Sequence, residues 1–441
     1  MRLTFRREMG VADLTYLTVG AARQVNVSMV FPLVLDAELD PQELRGALRE
    51  LVAAVPRFRQ RVVRRAPWAV HWSLAEEVRI DDHLTEVSVS GGLDAAFARL
   101  PDHLERPFER GRPPWQALYF RGLSGGRSVL VLRLHHCMGD GLTYLTAFQQ
   151  AFGARPGSPS MEEVEDRSSG AGHAARALLT WSRRTASAAG RAAAAALTRS
   201  GRAALRDELQ IWSAPPPPGH LGRTRSGQRI AIWKVPAESW ARSARAHRGR
   251  HNDLFLLIVS HAESEHLGWP EEPSVLIMPI STRPSSPDAE QDGSIALTSG
   301  VVVLDRDDLR TGNLPAIGET ARAARESATS SARRPVVPEL MHLLPAKIRR
   351  RLHLRLFARS DLVASNVGRG GRLRVGRAEV TTFTAVSPAV GCPVAFTTFT
   401  SGDEVVLAAS IDPGIITAPA HLEAAVDQAL HRFVGDVERV A

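Results

Sequence analysis

At 441 residues, with 44% hydrophobic and 23% charged residues, the chain is too long for one core and too apolar for a disordered segment, so two folded domains are expected. The charge of +8, with nearly all of the basic residues arginine, would attract phosphates of any kind, in nucleic acid, anionic lipid or a phosphorylated cofactor, yet a GC-rich genome produces the same bias, so charge alone decides nothing and no nucleic-acid partner is expected. Two distant cysteines, Cys137 and Cys392, argue against a disulfide framework or a zinc site, and the lack of any apolar run of roughly 18 residues or of a signal-peptide core leads us to expect a cytoplasmic protein.

In chain order, Val25–Leu35 is an apolar, β-branched run that predicts a strand, and Asp40-Pro41 then opens a helix-period stretch through Leu44, Leu48, Leu51 and Val52. Ser124-Gly125-Gly126 signals a turn before a second strand over Ser128–Leu134, which runs directly into His135 and His136. Helical spacing resumes after Gly141 through Leu142, Leu145 and Phe148, so the histidines sit in a strand-to-helix loop, a common place for chemistry. From about Gly153 to Gly222 the composition turns to Gly/Ser/Pro, then to an Ala/Arg stretch over Ala174–Leu209, then to four prolines at 215–218. The middle predicts a helix carrying Arg176, Arg183, Arg184, Arg191, Arg199, Arg202 and Arg206, with Trp181, Leu197, Leu205 and Trp212 as apolar anchors. Such a helix could lie on an anionic membrane or pack its alanines on the protein, and the packed arrangement is the more economical reading. Beyond Arg223, the segments RIAIWKV, SVLIMPI, IALTSGVVVL, EVTTFTAV and VVLAASI predict strands, and Asn252–His266 and His421–Val434 predict helices. These elements give residues 1–160 as one α/β domain, 161–222 as a connection and 223–441 as a second domain of similar size.

The stretch His135-His136-Cys137-Met138-Gly139-Asp140-Gly141 carries the chemistry. Neighbouring side chains of a loop point in different directions, so one histidine can face a pocket while the other packs inward. An imidazole near its usual pKa of about 6.5 can take a proton from an alcohol and return it to a leaving group. Asp140 can brace the loop against a nearby cation, and Gly141 permits close backbone approach or a positive φ. Backbone N–H groups near Gly139–Gly141 are candidates for stabilising an oxyanion. Cys137 reads as a small buried hydrophobe rather than a nucleophile, Trp115 as core rather than tunnel wall, and Asn366 as either a substrate contact or a turn cap.

HHCMGDG matches the HHxxxDG motif of the CoA-dependent acyltransferase superfamily, and the chain resembles the bacterial wax ester synthase/diacylglycerol acyltransferase family over nearly its whole length. The resemblance extends through Asp82-His83, the segment PFERGRPPWQALYFRGLSGGRSVLVLRLHH, Asn252-Asp253, Pro279-Ile280-Ser281-Thr282-Arg283, Ser365-Asn366-Val367 and the C-terminal VSPAVGCPVAFTTFTSGDEVVLAASIDPGII. It departs where the family's Ser-Asn-Val-Pro-Gly-Pro becomes Ser-Asn-Val-Gly-Arg-Gly-Gly, and where Gly-Asn reads Gly293-Ser294 and Pro-Leu-Trp reads Pro-Pro-Trp.

The resemblance implies an α/β fold of two similar mixed-sheet domains, of the chloramphenicol acetyltransferase-like type, with an active-site tunnel between them. It implies an O-acyltransferase that moves a fatty acyl group from acyl-CoA, a co-substrate, to diacylglycerol or a long-chain alcohol, with no metal and no cofactor. His136 would be the general base within a motif completed by His135, Asp140 and Gly141. Arg283 would brace Asp140, Asn252 and Asp253 would support the second domain beside the tunnel, and Ser365 and Asn366 would bind substrate or give structural support. The altered Ser-Asn-Val loop and the basic surface also fit a condensation-type transferase of specialised metabolism that uses a carrier-protein or CoA thioester and a small polar acceptor. A non-catalytic lipid-binding role would not require the histidine beside its Asp-Gly. Peripheral contact with an anionic membrane or lipid droplet is a further expectation.

Overall fold

The computed structural model describes residues 2–5, 9–21, 25–66, 69–153, 161–163, 170–199, 202, 225, 227–283, 290–332, 341 and 344–440. Within these, two mixed sheets face each other. The first has six strands in the order Arg374–Val375, Ala378–Phe383, Ser28–Leu35, Ser128–His135, Trp115–Leu123, Leu84–Gly91. The second has seven, in the order Leu297–Leu304, Ser274–Ser281, Leu362–Gly370, Val394–Ser401, Glu404–Ile411, Arg229–Pro236, Glu438–Arg439.

Strands Ser28–Leu35 and Ser128–His135 pair antiparallel and are buried along their whole length, because each face is covered by a different core. Phe31, Leu33, Leu130 and Leu132 join the helices Pro41–Ala54 and Gly141–Phe152 on one side. Val30, Val34, Val129 and Val131 meet the helix Leu93–Leu104 and also Ile230, Ile232, Val406 and Ala408 of the second sheet on the other. Burial on both faces is why these runs read as continuously apolar rather than alternating.

The helix Pro41–Ala54 starts as its sequence dictates: Asp40 accepts from the Gln42 N–H at 2.8 Å and Pro41 occupies the first turn, where its missing N–H costs nothing. It buries Leu44, Ala47, Leu48, Leu51 and Val52. The helix His251–His266 is buried all round from Asp253 to Ser264 and forms the centre of the second core. The Ala/Arg stretch is helical over Gly170–Leu197, four residues earlier at its start than the sequence predicts. Its predicted end, with Leu205, Trp212 and the four prolines, lies outside the described residues. Leu197 is 83% exposed, so it anchors nothing within the protein.

The segment EVTTFTAV does form a strand, Ala378–Phe383, but not in the sheet of its sequence neighbours. It crosses over and pairs antiparallel with Ser28–Leu35 in the first sheet, Phe383 opposite Leu33. A small third sheet brings Arg2–Phe5 between Met161–Glu163 and Glu290–Asp292, all parallel. The two sheets are thus tied by exchanged segments as well as by their shared apolar interface.

Candidate active site

The motif is built by three short elements in succession. The strand Ser128–His135 ends when the His135 N–H donates to the Pro114 carbonyl at 3.0 Å and the His136 N–H to that of Val27 at 2.8 Å. A single 3₁₀ turn, His136–Met138, reverses the chain, and Asp140 then caps the helix Gly141–Phe152. Its Oδ1 accepts from the Thr143 N–H at 2.9 Å and the Thr143 hydroxyl at 3.0 Å. An Asp at this position satisfies a helix-end donor and complements the positive end of the helix.

The other oxygen of the same carboxylate reaches across to the second half. Asp140 Oδ2 accepts from Arg283 Nη2 at 2.7 Å and from the Ala296 N–H at 3.0 Å. The side chains of the pair are 4% and 1% exposed, so the charges meet out of water. Arg283 Nη2 also donates to the Ser294 carbonyl at 2.8 Å and the Thr143 hydroxyl at 2.8 Å. Asp13, on the helix Val11–Val19, accepts from the Ile295 N–H at 3.1 Å. Two buried aspartates and one arginine therefore grip residues 294–296, where the family's Gly-Asn is replaced by Gly293-Ser294.

His136 is held by contacts that fix its chemistry. Nδ1 lies 3.2 Å from the Gly139 carbonyl, and because a carbonyl only accepts, Nδ1 carries the proton and Nε2 keeps the basic lone pair. The Tyr16 ring stacks on the imidazole at 3.8 Å between centroids and 19° between planes. Burial lowers the imidazole pKa below its ordinary value, partly opposed by its backbone hydrogen bonds and the Asp140 charge. The ring is consequently neutral at pH 7 and able to accept a proton. Burial also holds the Tyr16 phenol protonated.

His135 has a different environment. Its Nδ1 accepts from the Cys137 N–H at 3.2 Å, and burial, with His136 and Arg133 adding to it, takes its pKa down to about 3. It is a neutral ring packed near Phe108, and it is absent from the pocket. Cys137 is fully buried in the first core with its thiol pushed well up by burial, as expected of an inert hydrophobe. Trp115 is core as well: its indole N–H donates to the Phe58 carbonyl at 2.9 Å and its ring stacks on His83 at 4.1 Å.

The pocket that receives His136 lies between the halves. Tyr16, Met29 and Gly141 line it from the first, and Ile277, Pro279, Leu297, Ser299, Val363, Ser365, Val367 and Ser387 from the second. A Cβ on Gly141 would come within 3.0 Å of the Val367 side chain, so close approach of the Ser-Asn-Val strand explains this glycine. The Gly139 N–H donates to the His136 carbonyl at 3.4 Å, which engages one of the oxyanion candidates within the turn itself.

Of the residues singled out in the sequence, His136, Gly141 and Ser365 line the pocket and Asp140 and Arg283 brace it. Asn252, Asp253 and Asn366 stand apart from its lining. Asp253 caps its own helix through the Arg250 N–H at 2.9 Å, and Asn366 donates to Asn252 at 3.5 Å while accepting from the Gly368 N–H at 2.9 Å. Asp13, Tyr16 and Thr143 are site residues that the sequence reading missed. Only Thr143 had a local signal, three residues after an N-capping Asp; the other two arrive through tertiary packing. Phe357 also reaches the pocket, from the helix Ala346–Phe357, which packs on Val11–Val19 through His353 and Thr15 at 3.3 Å.

This architecture, two facing mixed sheets with paired histidines at a strand end between them, is the fold of the CoA-dependent acyltransferase type. Among solved structures it is similar to the wax ester synthase/diacylglycerol acyltransferase from Marinobacter aquaeolei VT8, with a TM-score of 0.62, 15% identity, and 96% of this chain and 99% of that one covered. The first condensation domain of the CDA synthetase has a TM-score of 0.58 at 15% identity, with 99% of both chains covered. Residues 9–235 match the model of the wax ester synthase/diacylglycerol acyltransferase catalytic domain, and residues 310–433 match that of the WS/DGAT C-terminal domain. The chain belongs to the wax ester synthase/diacylglycerol acyltransferase family. A Mycobacterium tuberculosis (strain CDC 1551 / Oshkosh) protein, provisionally named a diacylglycerol O-acyltransferase, is 27% identical over 314 residues. A second relative, from strain H37Rv and named in the same provisional way, is 28% identical over 133 residues, 28% of each chain. The first match covers 64% of this chain and spans 64% of the relative's length.

Proposed function

We propose that this protein is an O-acyltransferase that transfers a fatty acyl group from acyl-CoA to a hydroxyl acceptor, diacylglycerol or a long-chain alcohol. One observation carries the reading: a neutral imidazole, with Nδ1–H committed to the Gly139 carbonyl, borders an apolar pocket between the two halves. The acceptor O–H gives its proton to His136 Nε2 as its oxygen attacks the thioester carbonyl. The tetrahedral intermediate collapses with cleavage of the C–S bond, and the leaving thiolate takes the proton back from the imidazolium, so the ester and free CoA form with no covalent enzyme adduct. The pocket's apolar lining suits hydrocarbon chains and limits water, which would otherwise compete as the acceptor. The names of the family and of the mycobacterial relatives support the choice of acceptors.

The test is release of free thiol from palmitoyl-CoA with diacylglycerol, hexadecanol and a panel of polar alcohols, for the wild type and His136→Ala in parallel. Loss of a positioned acid/base should lower the rate by about 10²- to 10⁴-fold. Undiminished turnover in the variant would exclude His136 as the base. Turnover only with a carrier-protein thioester and a polar acceptor would favour the condensation-type reading, which the similarity in fold to a condensation domain leaves as the second choice.

Peripheral contact with anionic membrane or lipid droplets belongs to the same proposal, since no described helix is long and apolar enough to cross a membrane while both acceptors are lipids. Exposed Arg183, Arg199 and Arg202 and the exposed Leu178 and Leu179 give the Ala/Arg stretch a surface for it. Flotation with anionic liposomes that persists after deletion of residues 174–209 would exclude that stretch as the anchor.

A further inference from the structure

Tyr16 is held against the His136 ring from several sides. Its helix, Val11–Val19, is tied to the second half by the Ile295 N–H, which donates to Asp13 Oδ1 at 3.1 Å, and by Arg349 Nη2, which donates to the Thr18 hydroxyl at 3.1 Å. Just past the helix a Cβ on Gly20 would stand 2.7 Å from His135 Nε2, so the chain there lies directly against the motif. Between these anchors the Tyr16 ring covers one face of the His136 imidazole, with 3.8 Å between centroids and 19° between planes. The hydrogen bond from Nδ1 to the Gly139 carbonyl fixes one atom of the imidazole. The stacked phenol fixes its plane, and with it the direction of the Nε2 lone pair.

The face of a phenol ring is the negative part of its quadrupole and attracts a cation in contact with it, most strongly away from water. When the acceptor's proton moves to Nε2, the positive charge appears on the very ring that Tyr16 covers. On the same loop His135 is neutral, the Cys137 thiol is protonated, and the Asp140 carboxylate is paired with Arg283. On the neighbouring elements, Asp13 accepts from the Gly10 and Ile295 N–H groups and Arg349 donates to Thr18, while burial keeps His353 and Cys392 uncharged. The carboxylate that acts on the imidazole, Asp140, is thus already matched by a cation, whereas the attraction of the Tyr16 face grows as the proton arrives.

We infer that Tyr16 is a positioning residue for the acyl transfer: its ring face holds the His136 imidazole in line and stabilises the imidazolium between proton uptake from the acceptor hydroxyl and proton return to the leaving thiolate. This rests on the acyl-transfer reading above. A contact that is stronger with the imidazolium than with the neutral ring lowers the barrier instead of merely tightening binding, so its loss belongs in kcat.

The test compares Tyr16→Leu, which keeps apolar bulk without a π face, with Tyr16→Phe, which keeps the face without the hydroxyl, by thiol release from palmitoyl-CoA with hexadecanol. Tyr16→Leu should lower kcat about tenfold, leave KM within about twofold and move the acid limb of kcat/KM down by about one pH unit, and Tyr16→Phe should recover most of the rate. Replacing Tyr16 by mono-, tri- and pentafluorinated phenylalanine, which keeps the shape and drains the ring face of charge, should lower kcat stepwise. This series keeps the test independent of whether the leucine variant folds. Unchanged kcat in Tyr16→Leu, a loss in KM alone or a flat fluorinated series overturns the inference. So does a Tyr16→Phe variant as slow as Tyr16→Leu, because the hydroxyl and not the face would then be what acts. If the wild type turns over no thioester, the acyl-transfer reading is what fails. The His136 C2–H titration followed by NMR then still decides the ring contact, which requires a lower midpoint in Tyr16→Leu than in the wild type.

Discussion

His135 and His136 are adjacent, chemically identical and assigned to opposite tasks by a turn of the chain. His136 has its Nδ1–H tied to a carbonyl and its ring against the pocket, whereas His135 uses Nδ1 as an acceptor and packs inward. Because burial lowers the His136 pKa, its basic form persists below the ordinary imidazole range. The acid limb of kcat/KM is therefore expected below pH 6.5, and a limb at or above that value would contradict the buried, neutral base. His135 has a separate pH signature. Its folded pKa of about 3 lies below its unfolded value, so the unfolded chain binds the proton first as pH falls. Its contribution to stability is present above about pH 6.5 and is lost toward pH 3, with a slope of at most about 1.4 kcal/mol per pH unit. His135→Asn keeps an acceptor for the Cys137 N–H but cannot titrate. Denaturant melts from pH 7 to pH 4 should give the variant a shallower fall than the wild type.

At the scale of elements, the motif works because a strand, a 3₁₀ turn and a helix meet with little spare room. Gly141 lies against Val367, so the helix carrying Asp140 and the Ser-Asn-Val strand approach each other over a missing Cβ. Gly141→Ala should push Val367 and narrow the pocket, lowering kcat/KM while leaving the melting temperature within a few degrees. Adding Val367→Ala should restore much of the rate, and failure of that rescue would mean that the glycine acts through something other than this contact. The replacement of the family's prolines after Ser-Asn-Val also has an elemental consequence. Glycines and Arg369 let Leu362–Gly370 continue alongside Val394–Ser401 through a bulge between Asn366 and Gly368, where proline would have interrupted the ladder.

At the scale of the whole molecule, the Asp140–Arg283 pair joins the halves across the site. Removing the cation leaves a carboxylate buried with only its neutral donors, Thr143 and Ala296. Arg283→Met should cost about 3–5 kcal/mol in equilibrium unfolding, and a cost below about 1 kcal/mol would show that the pair does not bind the halves together. The same two-part construction explains what could not be read from local pattern. The composition change near residue 160 is visible in the sequence, but the crossing of Ala378–Phe383 into the first sheet is not, since a strand's partner is chosen by surface complementarity at long range.

The sequence by itself determined the strand–turn–helix that holds the histidines, the two strands Ser28–Leu35 and Ser128–His135, and the long helix at Asn252, because each rests on periodicity or on turn signals within a few residues. It also carried the resemblance to the family whose models match residues 9–235 and 310–433. The tertiary structure alone decided that Tyr16 stacks on His136, that Asp13 and Asp140 grip residues 294–296 together, and that Asn252 and Asn366 stand apart from the pocket lining. Each of these depends on groups far apart in the chain, and only the packing of two cores against each other fixes such distances.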